Sequence, residues 1–351
     1  MKLVKTLFGP KTRGRTTSFA IVLLAYIIMT VLQSGGSIPR MITSLLVPVC
    51  CYIVAAIGLN LNVGISGELN LGQAGFMALG GFSAAVVNAC LLNTIPNEIL
   101  RLILCIVVGT IFAGLVGWLI SIPVLKLEGD YLAIVTLAFG QIIMSLINNL
   151  YVGVDSAGIH FSFINNMMQL LEGGKVVISG PMGVTGNSAI STFTAGAVLI
   201  ILSLVVVYNV IYSREGRAIQ ACRDNKIAAE TVGIHVSHTK TLAFVLSSAL
   251  GGAAGALYMM NYASVAATKF DFNTSILILV YVVLGGLGNM TGTIIATTVL
   301  VMLPEMLRFL SSYRMLVYAI VLIVMMILTN NEKVKVFFAK LKKKEGAEAH
   351  E

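Results

Sequence analysis

The chain has 351 residues, of which 57% are hydrophobic and only 11% charged, with a formal net charge of +8. Soluble domains carry roughly 25% charged residues, so this chain cannot be wrapped in a polar surface, and a soluble enzyme or nucleic-acid-binding domain is excluded. Lipid offers backbone N–H and C=O groups no partners, so apolar segments must cross it as helices of about 20 residues; the apolar runs are continuous rather than alternating, which argues against a β-barrel.

In chain order the apolar runs predict spans near Phe19–Leu32, Ile42–Leu61, Leu71–Leu92, Ile99–Ile122, Tyr131–Leu150, Ile190–Tyr212, Thr241–Met260, Ser275–Leu287, Ile294–Leu310 and Met315–Thr329. The expected fold is an all-α integral membrane protein of about ten transmembrane helices. With ten spans both termini share one side, and 17 of the 23 Lys and Arg fall on that side. Positive charge collects in cytoplasmic loops, so both termini are expected in the cytoplasm, and the net charge reflects orientation in the membrane. The resulting organisation is a cytoplasmic N-terminal segment (1–18), a polytopic domain (19–329) and a basic cytoplasmic tail (330–351). The domain has a cytoplasmic loop at 213–240 and an extracytoplasmic loop at 151–189. The first run, preceded by five basic residues and followed by Ser34-Gly35-Gly36-Ser37, has the form of a cleavable signal peptide but is read as a retained span, because removing it spoils the charge split. The tail, with Lys342-Lys343-Lys344, is expected to be solvated and to touch anionic lipid.

No GxxxxGK[ST], HExxH or GxSxG string occurs, so neither phosphate binding nor hydrolytic chemistry is signalled, and no enzyme is read. Cys50, Cys51, Cys90 and Cys105 lie in apolar runs, Cys222 lies in a basic loop, and there is no CxxC pair. No disulfide, metal site or cofactor is expected. Ionisable groups within spans mark ion-coupled transporters, yet Glu68 is the sole charge from Met41 through Asn97. Uphill movement of a solute by this chain would therefore draw on a partner's energy.

Three stretches carry more information. The first runs from Gly58 to Phe76 and mixes Gly64, Gly67, Gly72 and Gly75 with Asn60, Asn62, Asn70 and Gln73. It reads as a break between helices. Irregular backbone at membrane depth is tolerated where it lines a cavity or is buried in protein, so these residues are pore or gate candidates; the alternative is an ordinary cytoplasmic turn with Glu68 exposed. The second is the loop from Arg214 to Gly233. Asp224 or Asn225 can cap a short helix over Lys226–Val232 that Gly233 stops. Ile227 with Thr231, and Ala228 with Val232, form an apolar ridge that either seats in a partner's groove or packs on the chain's own helix ends. The third is the pairing of Gly251 with Gly255 and of Gly288 with Gly292, small-xxx-small spacings for close helix packing within or between subunits. Glu305 and Arg308 are spaced for a local ion pair. His235 and His238, on a basic loop, are read as solvated rather than metal-bound.

The strings GLNLNVGISGELNLGQAGFMALGGF (58–82), EGDYLAIVTLAFGQII (128–143), SGPMGVTG (179–186), ACRDNKIAAETVGI (221–234) and VVLGGLGNMTG (282–292) together resemble the LivM-type membrane permeases of branched-chain amino acid ABC transporters. The resemblance extends from about Ile42 to Thr329. It implies the ABC importer permease fold in a cytoplasmic (inner) membrane and a complex with a second permease subunit, two ABC ATPase subunits and an extracytoplasmic substrate-binding protein delivering Leu, Ile or Val. Related permeases carry urea, amides or sugars, which keeps another cargo open, and an ion-coupled amino-acid transporter acting alone is the rival from another class. The resemblance also implies that Ile227, Ala228, Ala229, Glu230 and Gly233, with Arg223 and Asp224 before them, form the ATPase-coupling element, matching an EAAxxxG pattern except at Ile227. Two further departures are Gln73, where many relatives carry His, and Thr293, where Pro is usual. The polar stretch from Tyr151 to Ile178, with Asp155, His160, Glu172 and Lys175, is expected to face outward as a variable surface loop or a contact for the binding protein.

Overall fold

The computed structural model describes residues 13–35, 39–92, 94–127, 129–155, 158–163, 174–308 and 313–330. Lys2, Lys5, Lys11, Ser37, Glu172 and the basic tail with Lys342, Lys343 and Lys344 lie outside the described residues. The helices are α1 (Arg13–Ser34), α2 (Arg40–Asn60), α3 (Gln73–Leu91), α4 (Glu98–Val124), α5 (Asp130–Asn148), α6 (Phe193–Tyr212), α7 (Arg214–Asp224), α8 (Lys226–Thr231), α9 (Val236–Met259), α10 (Phe272–Gly285), α11 (Met290–Met306) and α12 (Arg314–Asn330).

Among the described residues eight helical segments are long and apolar enough to cross a membrane, and two shorter apolar helices follow them. All ten predicted runs fall on helices. The boundaries move where polar residues continue a helix past the apolar run: α9 begins at Val236 rather than Thr241, and α11 at Met290 rather than Ile294.

Residues Met1–Thr297 form one compact unit and Thr298–Glu351 a second. The second holds the last turns of α11 and the helix α12. Within it Arg308 Nη1 meets Glu305 Oε1 at 2.9 Å.

The core of the first unit is α9, packed by α2, α3 and α4. Every residue from Leu250 to Met260 is buried. Lipid tails are as apolar as leucine, so such a helix is held by close packing rather than by escape from water. Small residues permit that approach: the backbones of Gly252 and Gly80 touch, and a Cβ on Gly109 of α4 would lie 2.7 Å from the Gly80 carbonyl oxygen and 3.0 Å from Ala256 Cβ. The first helix docks on α6, where Ser18 Oγ and the Tyr208 hydroxyl lie 2.7 Å apart and Tyr26 stacks on Phe193.

One region departs from the helical expectation. Where a surface loop was predicted, the chain forms a three-stranded antiparallel sheet, β1 (Tyr151–Asp155), β2 (Gly158–Ser162) and β3 (Lys175–Ser179), in the order β2-β1-β3. Tyr151 pairs with Ser162 and with Ser179. The cause is in the sequence: Tyr151, Val152, Val154, Val176, Val177 and Ile178 are β-formers in a stretch without helical periodicity. The SGPMGVTG string that follows is a tight turn, in which the Ser179 N–H donates to the Gly183 carbonyl at 2.8 Å. Val184 then bridges to Val265, tying the sheet to the segment after α9.

Candidate functional site

The break after α2 is not an ordinary turn. From Leu61 to Ser66 the helix widens into a π-helix, a form that appears mostly as short functional interruptions. Gly67 closes it in the left-handed region at φ 78°. Asn60, Asn62, Ser66, Asn70 and Gln73 are buried. The exposed-turn alternative fails on Glu68, which is only 9% exposed and forms an ion pair with Lys240 at the start of α9.

Backbone groups that leave a helix inside a protein must find other partners, and here side chains supply them. The Leu71 N–H donates to Thr136 Oγ1 (3.0 Å), the Ala74 N–H to Ser275 Oγ (3.1 Å) and the Gly72 N–H to Asn70 Oδ1 (2.8 Å). Asn60 clamps the segment to the turn before α11: its Nδ2 donates to Thr293 Oγ1 at 2.8 Å, and its Oδ1 accepts from the Gly288 N–H at 2.8 Å. Gln73 Nε2 donates to the carbonyls of Ala55 (3.3 Å) and Ser247 (3.2 Å), bridging α2 and α9. Gln73 and Thr293 thus both carry hydrogen bonds that hold this segment. Asn62 Oδ1, Ser66 Oγ and Asn70 Nδ2 are buried without a partner.

The loop at 213–240 is more ordered than its sequence suggested. It holds two consecutive helices, α7 capped by Ser213, which accepts from the Gly216 N–H at 3.1 Å, and α8 capped by Asn225, which accepts from the Ala228 N–H at 3.0 Å. Of the two cap candidates Asn225 makes the bond and Asp224 ends α7. Gly233 stops α8 with φ 84°, a conformation that disfavours side chains. Ala229 turns inward to Cys222 and Val236, with Ala221 and Ile234 packed beside them. The ridge does not fold back: Ala228 and Thr231 are exposed, and Ile227 and Val232 are each 74% exposed.

The two elements meet at Arg223. Its Nη1 donates to the Gly64 carbonyl at 2.6 Å, and a Cβ on Gly67 would come within 2.9 Å of its Cγ. The coupling candidates and the gate candidates are therefore joined by direct contact.

The remaining small residues stay within the chain. Gly251 faces Gln73 and Phe76, and Gly255 faces the Met77 backbone, so α3 and α9 pack through them. Gly75 approaches Gly140 of α5, and Gly72 the Thr136 carbonyl. Gly288 and Gly292 do not form a helix-packing pair. Gly288 sits in the turn before α11 with φ 79°, beside Gly64, and Gly292 packs against the carbonyl of Gly285. Turn chemistry overrode the i, i+4 spacing there, because Gly286 and Gly288 both take positive φ.

Sequence reasoning did not anticipate Lys240, Thr136 or Ser275 as partners of the broken segment. A signal existed for the first: a lone carboxylate amid 56 uncharged neighbours from Met41 to Asn97 requires a cation, and Lys240 opens a span. Among the described residues no group of three His, Cys, Asp or Glu is placed to hold a metal ion, and His235 and His238 are exposed.

The profile of a family described as the permease component of branched-chain amino acid transport systems matches residues 41–328. The chain is 32% identical to the high-affinity branched-chain amino acid permease protein LivM of Salmonella typhimurium, over 93% of this chain and 78% of that one. It is 24% identical to the fructose import permease protein FruG of Bifidobacterium longum (74% and 72%). To the branched-chain amino acid permease protein LivH of Escherichia coli it is also 24% identical (71% and 79%). No solved structure matches. With the broken span, the capped short helix and the profile match all in hand, this multi-pass membrane chain belongs to the family of branched-chain amino acid transport permeases.

Proposed function

We propose that this chain is a LivM-like subunit of an ABC importer that moves leucine, isoleucine or valine across the cytoplasmic membrane, with ATP hydrolysed by partner subunits. The cargo is assigned because the relative with the greater identity and coverage is LivM, ahead of the fructose permease. A neutral zwitterion with an aliphatic side chain suits a path of amides, hydroxyls and small residues with few fixed charges. The family likeness to LivH supports a second permease as the partner within the membrane, and the complex is completed by two ATPases and an extracytoplasmic binding protein.

The observation that carries the mechanism is the bond from Arg223 to Gly64. In this reading the exposed ridge of Ile227, Ala228, Thr231 and Val232 seats in an ATPase. Force on α8 passes through α7 to Arg223, and from Arg223 to the π-helical segment, whose unpartnered Asn62, Ser66 and Asn70 atoms face cargo or water when it rearranges. Residues 213–240 then lie in the cytoplasm and 151–189 outside, with both termini cytoplasmic, as the distribution of positive charge supports. The test is Ala228→Arg and Gly233→Pro in the reconstituted complex. Both positions are exposed, so the variants should reach the membrane at normal levels, while ATP-driven leucine uptake falls by at least tenfold. Uptake at the normal rate in both variants would sink the coupling assignment.

A further inference from the structure

At the end of the molecule far from Arg223, Arg101 is 5% exposed, yet its Nε has no hydrogen-bond partner and it forms no ion pair among the described residues. A buried charge without compensation is strongly unfavourable. The placement compounds this, because Arg101 stands at the fourth position of α4, where the positive end of the helix repels a cation. Both features call for an anion.

A second unsatisfied atom stands at the same level. Gly80 of α3 and Gly109 of α4 touch backbone to backbone, and the two helices are antiparallel neighbours. Eight residues onward along α3 is Asn88, and eight residues back along α4 is Arg101. Asn88 is 2% exposed, and its Oδ1 has no partner. Its orientation is fixed by a chain of bonds. Asn187 Nδ2 donates to the carbonyls of Met259 (2.9 Å) and Tyr262 (3.4 Å), which leaves Asn187 Oδ1 to accept from Asn88 Nδ2 at 2.7 Å; Asn88 Nδ2 also reaches Ser188 Oγ at 3.2 Å. Turning the Asn88 amide over would set its oxygen against the oxygen of Asn187. The free Oδ1 is therefore an acceptor held in place, at the level along α3 that faces the turn of α4 carrying the free cationic donor.

We infer that Arg101 and Asn88 form a receiving site for the head of an α-amino acid, Arg101 binding the carboxylate and Asn88 Oδ1 accepting from the ammonium. The site rests on the amino-acid cargo proposed above and adds the residues that hold its two charges. Guanidinium and carboxylate match in geometry as well as charge, so the carboxylate of the cargo supplies the anion that Arg101 lacks.

Two measurements on the complete reconstituted complex test this. Arg101→Met should keep the basal ATPase rate and assembly but lower leucine uptake at least tenfold, and Arg101→Lys should recover part of it. In the wild-type complex, phenylglyoxal modification of Arg101, followed by mass spectrometry, should be slowed by leucine but not by leucinamide, which lacks the carboxylate, nor by chloride. Uptake at the wild-type rate in Arg101→Met overturns the site, as does a loss of assembly that matches the loss of uptake. Equal protection by leucinamide or chloride, or an Arg101 that no condition lets the reagent reach, also overturns it. These outcomes differ from failure of the cargo reading, in which the wild-type complex itself accumulates no leucine and the inference falls with it.

Discussion

Arg223 in α7 donates a hydrogen bond from Nη1 to the carbonyl of Gly64, 159 residues away in the sequence, at 2.6 Å. The acceptor belongs to the π-helical turn that interrupts the second span, and the donor to the helix immediately before the exposed Ile227 ridge. A carbonyl freed by a π-turn is open to an outside donor, and a guanidinium keeps its charge while making a directed bond.

Replacing Arg223 with Met should separate the two elements while keeping the aliphatic cover over Gly67. The expected outcome is normal membrane insertion, ATP hydrolysis retained, and leucine uptake reduced at least tenfold. Arg223→Lys, which keeps the charge but loses the planar fork, should fall between. The two rates measured on the same proteoliposomes check this, and a parallel fall in both would point to misassembly rather than lost coupling.

The ion pair of Glu68 and Lys240 anchors the same turn from the other side. Lys240→Met leaves a mostly buried carboxylate unpaired, and breaking a buried pair in this way costs about 3–5 kcal/mol. The unfolding midpoint in detergent should drop accordingly. Adding Glu68→Gln to Lys240→Met should restore most of the loss, because the uncompensated charge is gone. A double variant as unstable as the single one would mean that packing, not charge, dominates here.

Cys222 is held in the small cluster with Ala229 and Val236. Burial pushes its thiol pKa upward, opposed by the nearby charge of Lys240. The neutral thiol is therefore favoured in the folded protein. Below the ordinary thiol pKa this contribution to stability is fully present, and it is lost as pH rises through the folded value, because the unfolded chain ionises first. Maleimide labelling of Cys222 at pH 7 should be slow in the folded protein and should become fast on unfolding. An ATPase-engaged complex that labels rapidly would show that α7 and α8 separate from α9 during turnover.

Much of this structure is legible in the residues, and the exceptions have physical causes. The spans could be read because long apolar runs have no other way to satisfy their backbones. The α8 helix could be read because Asn225 and Gly233 are strong local start and stop signals, respectively. The coupling candidates from Ile227 to Gly233 and the gate candidates from Asn60 to Gly75 were each visible as segments, but their junction was not. Contact between Arg223 and Gly64 depends on how distant helices pack, which no local pattern records. The sheet at Tyr151–Ser179 was overlooked because its strands are five residues long and sit in a polar context. The spacing of Gly288 and Gly292 suggests close helix packing, whereas the positive φ of Gly288 belongs to a turn.

The most direct test of the account is uptake of labelled leucine into proteoliposomes holding this chain with its second permease, ATPases and binding protein, with each component omitted in turn. The account expects uptake that requires ATP and every component, and that excess valine suppresses while fructose does not. Leucine accumulation by this chain alone, driven by a proton or sodium gradient, would contradict it.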